Sequence, residues 1–535
     1  MVEKNSKKIE KNNKPNNKFV EKETKKVDVW KIKKYICKVK NIRILTGKNV
    51  IVLNRGEAVG HDIYEGYRTA VKKDKEEIIA LVDLSDQVVK PGEVGIYSDI
   101  AKEFGLREGE KVEIVHMDMP DSIGFIKKKL DKGTLTEDEI KVIVEEIMDN
   151  ELSEIEISAW ISAAYINGLS DSEIVALANC TVSSGEKLEL GKKPIVDKHC
   201  IGGVAGNRTT MVITPIIAAA GLYIPKTSSR SITSAAGTAD TMEVLCNVTF
   251  TMDELRKMVL KTNGAIVWGG GMKLAPVDDK LIRIRHPLSL DPEGMLLASI
   301  LGKKRAVGAE YVIIDIPVGR GVKVPYYERG QELGKHFLRI GKQLNMNVEA
   351  LITDGAEPVG NGIGPSLECM DVLKVLSGEG PEDLKHKSVL MAGKLLELSG
   401  KAAPEQGYRI AEELLLSGKA LSKFRQIIEA QGGNPNVKLT DLPLGQCTYT
   451  VKAETSGAIY HIDNHTMSKI ARIAGAPRAK GAGVLLHRAR GDHIVPGDPL
   501  FTIYAESEQM LDYAIKALEK LEPIELRKML LGSMM

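Results

Sequence analysis

Aromatic side chains are scarce, at 4% of 535 residues. That argues against a platform on which single-stranded bases stack. Cysteines are equally sparse. The six of them (Cys37, Cys180, Cys200, Cys246, Cys369 and Cys447) are scattered with no CxxC pair. Neither a thiolate metal site nor a disulfide framework is signalled, and a reducing compartment fits. Net charge is almost absent: 74 Lys and Arg stand against 72 Asp and Glu, leaving +2. No global field therefore recruits nucleic acid or a membrane surface. Long apolar runs are missing as well. The longest, residues 211–224, is broken by Thr214, Pro215 and Gly221 and is too short to span a bilayer. The N-terminal segment has no apolar core of signal-peptide type, so the expected location is cytoplasmic.

What is present is an ordinary globular composition, 43% hydrophobic and 27% charged. The length suggests roughly three or four domains, large enough to need no disulfide or metal staples. The near-neutral balance is a cancellation. Residues 1–34 hold twelve lysines against four Glu and one Asp, which makes them +7 and the remainder −5. With few apolar residues, this stretch reads as a disordered, solvated basic tail.

Along the chain the texture changes four times. Residues 32–115 contain short β-type runs, Ile42-Arg-Ile-Leu, Val50-Ile-Val-Leu, Val94-Gly-Ile-Tyr and Val112-Glu-Ile-Val, which predict a small β-rich domain. After Met119-Pro-Asp the pattern is helical. Thr136-x-x-Glu139 and Ser170-x-x-Glu173 are capping boxes ahead of apolar helical spacing, and 155–166 is a third helix. From Lys193 strand, glycine-rich loop and helix alternate. Strands are expected at 194–196, 221–225, 265–268 and 311–316, and helices at 210–220 and 239–245. Such alternation implies a mainly parallel sheet. Near Asp441 β-type runs return, followed by a closing helix at 510–521, which suggests an α+β domain. No period of 20–50 residues is present, so a solenoid is excluded.

Two loops of the alternating region look suited to anions. The first is Asp197-Lys-His-Cys-Ile-Gly-Gly-Val-Ala-Gly-Asn-Arg-Thr-Thr. Its glycines permit close backbone approach, Lys198 and Arg208 add charge, and the helix behind it offers free N–H groups. The same composition also suits a tight strand-to-helix turn. The second is Lys226-Thr-Ser-Ser-Arg-Ser-Ile-Thr-Ser-Ala-Ala-Gly-Thr-Ala-Asp-Thr-Met-Glu, where Arg230 supplies a planar fork for phosphate oxygens. Ligands of open α/β sheets bind beyond the carboxyl ends of the strands. Two neighbouring cradles suggest one polyphosphate or two separate phosphates.

The second loop resembles the signature of the thymidine and pyrimidine nucleoside phosphorylases, with Ser228-Ser-Arg-Ser leading to Gly237-Thr-Ala-Asp-Thr-Met-Glu243. The first loop resembles that family's Asp-Lys-His-Ser-x-Gly-Gly-Val, and Leu297-Ala-Ser-Ile-Leu-Gly-Lys-Lys304 its base-site helix. The resemblance runs from about Pro120 to the C-terminal helix. Cys200 in place of Ser, Ser231 in place of Gly or Ala, the pair Asn207-Arg208 and the preceding β-rich domain point to the archaeal nucleotide-specific branch, the AMP phosphorylases. Members of that branch convert AMP (also CMP or UMP) and phosphate into free base and ribose 1,5-bisphosphate. The implied architecture is multidomain α/β and α+β. A basic tail (1–34) and an N-terminal β-rich domain (35–118) precede a split helical domain (119–188 and 278–308). A parallel-sheet α/β phosphate-binding domain (189–277 and 309–440) and a C-terminal α+β domain (441–535) complete it.

Residue by residue, the resemblance makes Asp291 the proton donor and His199 a second catalytic position. Gly203, Ser229, Arg230, Ser231, Ile232, Thr233, Ser234, Thr238, Ser299 and Lys323 become substrate contacts. Lys198, Cys200 and Thr209 fall near phosphate, and Lys303 and Arg285 at the base. Phosphorolysis at C1′ builds positive charge on the ribose and negative charge on the leaving base, so the protein must hold phosphate at the anomeric carbon and neutralise the base. Asp291 also has a purely structural reading. Followed by Pro292, it is a natural N-cap, and a helix dipole there favours its anion and opposes acid work. His461, His465, His487 and His493 lack metal-ligand spacing, so no metal is expected. No cofactor is implied, phosphate being a co-substrate. The expected partners are AMP and other nucleoside monophosphates, phosphate, and further copies of the chain in a homodimer or larger homo-oligomer, with neither nucleic acid nor membrane. A pyrimidine nucleoside phosphorylase is the alternative; a phosphoribosyltransferase and a nucleotide-binding sensor are more distant.

Overall fold

The structure, a computed structural model, describes residues 35–117, 119–231 and 234–527. The basic segment 1–34 and two candidate substrate contacts, Ile232 and Thr233, lie outside the described residues. The chain divides into two compact units, Met1–Met119 and Pro120–Met535.

In the first unit, six strands, β1 (Tyr35–Ile42), β2 (Val50–Leu53), β3 (Arg68–Lys73), β4 (Glu76–Leu84), β5 (Glu93–Tyr97) and β6 (Lys111–His116), close into a barrel in the order β1-β5-β2-β4-β3-β6. Two short helices, α1 (Arg55–Gly60) and α2 (Ser98–Glu103), accompany it. Tyr35, Cys37 and Val39 of β1 point inward while Ile36 and Lys38 face out, the period-2 pattern of a strand with one buried face. Closure leaves no unpaired edge. The expected strand at Ile42-Arg-Ile-Leu is not formed: β1 ends at Ile42, and Ile44 and Leu45 are exposed. The true strand lies just before it, where alternating lysines dilute the apolar signal.

The second unit opens with α3 (Ser122–Leu130), α4 (Glu137–Met148), α5 (Glu154–Asn167) and α6 (Asp171–Ser183). Both expected capping boxes form, and Ser153 with Glu156 makes a third. Next come β7 (Val196–Cys200), α7 (Thr209–Ala219), β8 (Ile224–Ser228), α8 (Thr238–Met242), α9 (Met252–Thr262) and β9 (Gly264–Trp268). The chain then returns as α10 (Pro276–Arg285) and α11 (Glu293–Ala306). Gly302 of α11 lies where a Cβ would sit 3.1 Å from Thr181, and Gly294 where one would sit 2.7 Å from Leu169, so α11 packs tightly along α6. After α11 follow β10 (Tyr311–Val318), α12 (Tyr327–Gln343), β11 (Asn347–Asp354), β12 (Gly362–Ile363), α13 (Pro365–Leu376), α14 (Glu382–Leu398), α15 (Gly407–Leu416) and α16 (Lys419–Ala430).

The central strands run parallel as β11-β10-β7 and as β8-β9, and a parallel bridge between Ile195 and Tyr223 links the two sets. One face of this sheet shares a single core with the α3–α6 and α10–α11 helices; the other packs on α7 and α13–α16. β13 (Cys447–Lys452), β14 (Gly457–Ile462), α17 (Asn464–Ile473), β15 (Gly483–Leu486), β16 (His493–Ile494), β17 (Pro499–Ala505), α18 (Glu508–Leu518) and β18 (Ile524–Leu526) form the α+β end, into whose sheet β12 inserts beside β15. Two strands are displaced from their expected positions. β7 covers 196–200 in place of 194–196, and β8 covers 224–228 in place of 221–225. Asp197, Lys198 and Lys226 are buried strand residues with ion-pair partners on other strands and helices, which apolar patterning cannot anticipate.

Candidate active site

The displacement of β7 changes the site. Lys198, His199 and Cys200 stand at the end of a strand, and the loop proper is only 201–208. Beneath it runs a buried ionic network. The Lys304 Nζ donates to Asp197 Oδ2 at 2.7 Å, and Lys226 lies 3.6 Å from the other Asp197 oxygen. Lys198 donates to Thr209 Oγ1 at 2.9 Å and lies 3.3 Å from Asp315, which Lys387 approaches to 3.6 Å. Four lysines thus face two aspartates within the sheet; burial lowers Lys226 to about 7, and the other three still outnumber the carboxylates. Burial, and then the neighbouring Lys304, Lys226, Lys303 and Lys198, push His199 well below its usual range, so its imidazole is neutral near pH 7. Burial and the adjacent Asp315 push the Cys200 thiol up to about 11. It is a neutral thiol whose sulfur receives the Gly202 N–H at 3.4 Å.

The first loop is held by backbone geometry. Gly203 has φ +99°, and a Cβ there would sit 3.1 Å from the Lys323 backbone nitrogen. The loop after β7 therefore lies directly against the segment that carries Lys323. Arg208, expected to be a cationic element of the cradle, is instead structural. It is buried, paired with Glu368, and donates to the carbonyl of Asn207 at 2.8 Å and to that of Ala236 at 2.5 Å. It ties the two loops together.

The second loop is similarly braced. Asp240 accepts from the backbone N–H of Ser231 at 2.7 Å and of Gly237 at 2.9 Å. The fork of Arg230 is taken by Glu243, with bonds of 2.7 and 2.5 Å, and the guanidinium lies 4.8 Å over Trp268. Hydrogen bonding from Arg230 holds the Glu243 carboxyl down at about 2. Arg230 thus shapes the loop and is not an open phosphate fork here. Ser234 donates to the Ala236 carbonyl at 2.9 Å, while Ser229 and Thr238 remain partly or fully open to solvent.

The third group lies along α11. Ser299 donates to Asp278 at 2.8 Å, and Lys303, one turn on, reaches the same oxygen at 2.5 Å. At the N-terminal end Asp291 sits between Arg285 (3.3 Å) and Lys323 (2.8 Å). The expected N-cap role is absent: Pro292 occupies the cap position, no side chain caps α11, and Asp291 lies one residue outside it. Asp291 makes no cap hydrogen bond, yet it stays beside the positive end of the α11 dipole and between two cations. At 1.5 Å per residue α11 is about 21 Å long. It runs from the Asp291 group to the buried network, where Lys304 meets Asp197. Nine of the candidates follow α11: Asp291, Arg285 and Lys323 at one end, Ser299 and Lys303 within it, and Lys198, His199, Cys200 and Thr209 toward the other; Arg230, Ser231 and Ser234 are bonded within the second loop. Asp278, Asp315 and Lys226 were missed as site residues because long-range pairing leaves no local sequence signal.

Three family models match successive parts of the chain. Residues 123–185 match the glycosyl transferase family helical bundle domain, residues 192–421 its a/b domain, and residues 458–525 the pyrimidine nucleoside phosphorylase C-terminal domain. AMP phosphorylase of Methanosarcina mazei is 46% identical over 92% of this chain and 97% of its own length. AMP phosphorylase of Pyrococcus furiosus is 46% identical over 92% and 98%, and AMP phosphorylase 1 of Archaeoglobus fulgidus 44% over 93% and 98%. Among solved structures, anthranilate phosphoribosyltransferase from Thermus thermophilus has a similar fold, with TM-score 0.50 and 18% identity, covering 58% of this chain and 99% of that one. No helix among the described residues is long and apolar enough to cross a membrane.

Proposed function

The chain belongs to the AMP phosphorylase family of glycosyl transferases, and from that membership we infer that it cleaves AMP with inorganic phosphate to adenine and ribose 1,5-bisphosphate. CMP and UMP are further substrates in this reading. The observation that carries it is the strip along α11, which joins the buried lysines beneath the first loop to a carboxyl flanked by two cations at the other end. A nucleoside 5′-monophosphate and free phosphate bring two anions to the cleft, and both ends of the strip offer positive charge.

The chemistry follows from those positions. Phosphate held near the strand ends attacks C1′ of the ribose as the bond to the base breaks. The neutral His199 can accept a hydrogen bond or donate one without adding charge. Ser299 and Lys303, poised on Asp278, offer polar contacts along the cleft. A substrate phosphate that takes over Lys323 and Arg285 frees the Asp291 carboxylate; beside that anion it takes up a proton from water and passes it to the departing base as the C1′–N bond breaks. Holding both reactants in line supplies most of the rate.

The reading also includes a homo-oligomer. Ile155, Tyr165 and Ile166 on the α5 surface are exposed apolar side chains suited to a second copy. The enzyme works in the cytoplasm, where nucleotides are available and its six free thiols stay reduced. Incubation with AMP, CMP, UMP, adenosine or thymidine, each with and without phosphate, tests the reading by released base. Phosphate-dependent release from AMP supports it. Release from thymidine but not from AMP overturns it in favour of a pyrimidine nucleoside phosphorylase.

A further inference from the structure

The segment that carries Lys323 continues directly into α12, and α12 carries a row of nitrogen-bearing side chains, two arginines and a histidine. Arg329, His336 and Arg339 stand seven and ten residues apart, on one face of the helix. Each meets a carboxylate of the helical layer. Arg329 pairs with Glu293; His336 Nδ1 lies 2.7 Å from Glu293 and its Nε2 lies 3.2 Å from Asp171; Arg339 bonds Asp171 at 2.8 Å. With the Lys323–Asp291 pair, these contacts form a clasp between the β10–α12 arm and the first residues of α6 and α11.

Two features separate this clasp from ordinary surface ion pairs. Glu293 follows Asp291 with only Pro292 between them, and the ring of Pro292 fixes φ near its observed −59°. Two residues span at most about 7 Å, with little slack. Whatever anchors Glu293 therefore places Asp291. The same arm also abuts the first anion loop, through the Lys323 backbone nitrogen against Gly203. One element touches both the loop expected to hold phosphate and the loop that carries the proposed acid.

We infer that Arg329 and His336, acting through Glu293, are positioning residues that set Asp291 against the phosphate-side loop for phosphorolysis. This rests on the proposed role of Asp291. The clasp touches no substrate; it fixes how far Asp291 stands from the bond that breaks.

The test is the Arg329→Ala/His336→Ala double variant of the full chain, assayed with AMP and phosphate beside a melting curve. Misplacement of a reacting group by about 1 Å costs up to about 100-fold, so kcat should fall about 10- to 100-fold while KM for phosphate changes less than about twofold. The conservative Arg329→Lys/His336→Gln variant should recover at least about a third of the lost kcat. In an Asp291→Asn background the double substitution should change the residual kcat by less than about twofold, because both act through one group. If the double variant does not fold, Glu293→Gln carries the same expectations, since it removes the charge and keeps the shape. A lowered melting temperature with kcat unchanged overturns the inference, as does a full additional loss in the Asp291→Asn background. Should Asp291→Asn itself keep full turnover, the acid reading fails first. Should it abolish turnover while the clasp variants do not, the clasp inference alone fails.

Discussion

Arg208 offers the sharpest test of how the two loops are built, because sequence pattern marks it as an anion ligand and the structure makes it a brace. Replace it with Met. The buried Glu368 carboxylate loses its ion-pair partner, and the carbonyls of Asn207 and Ala236 lose donors. Breaking one side of a buried pair costs about 3–5 kcal/mol, and each orphaned carbonyl pushes toward the upper end of that range. Urea unfolding followed by tryptophan fluorescence reads the loss as a lowered midpoint. The pH dependence has a definite sign. Burial already favours the protonated form of Glu368, and Arg208 opposes it. Without Arg208 the folded state keeps that proton at a pH where the unfolded chain, near 4.3, has released it. Stability of Arg208→Met therefore falls as pH rises above about 4.3, more steeply than that of wild type. Adding Glu368→Gln removes this slope. A stability loss below about 1 kcal/mol with a large rise in KM for AMP or phosphate would refute the reasoning and return Arg208 to the substrate.

Three further outcomes follow from the site. Asp291→Asn should lower kcat by about 10²- to 10⁴-fold, the usual worth of a general acid, with binding of AMP retained; steady-state kinetics reads both. His199, held neutral in the fold, resists protonation below about pH 6.5 where the unfolded chain accepts it. Wild type should thus lose thermal stability from pH 7 to pH 5, and His199→Gln should lose less. Cys200, with its thiol near 11, should react with iodoacetamide at pH 8 more slowly than free cysteine, as peptide mass spectrometry can follow; Cys200→Ser, a better donor, should lower KM for phosphate.

The sequence made some parts of this molecule plain and hid others for physical reasons. Capping boxes at Thr136 and Ser170 are local and form as read. Glycines mark the loops because Gly203 holds φ +99° and Gly237 sits where any Cβ would strike backbone. The β7 and β8 positions were shifted because Asp197, Lys198 and Lys226 are charged residues inside strands, stabilised by partners as distant in sequence as Lys304. The occupations of Arg208 and Arg230 were equally invisible, since Glu368 and Glu243 become partners only in the fold. Asp291 looked like a cap because Asp-Pro commonly starts a helix, yet the chain turns one residue later, with Pro292 at the cap.

Phosphorus NMR of AMP mixed with inorganic phosphate and enzyme tests the central claim most directly. The inorganic phosphate signal should fall as adenine appears. A sugar product should grow in carrying two phosphorus resonances of equal intensity, one at C1 and one at C5. Adenine accompanied by ribose 5-phosphate, with inorganic phosphate undiminished, would mean hydrolysis and would contradict it.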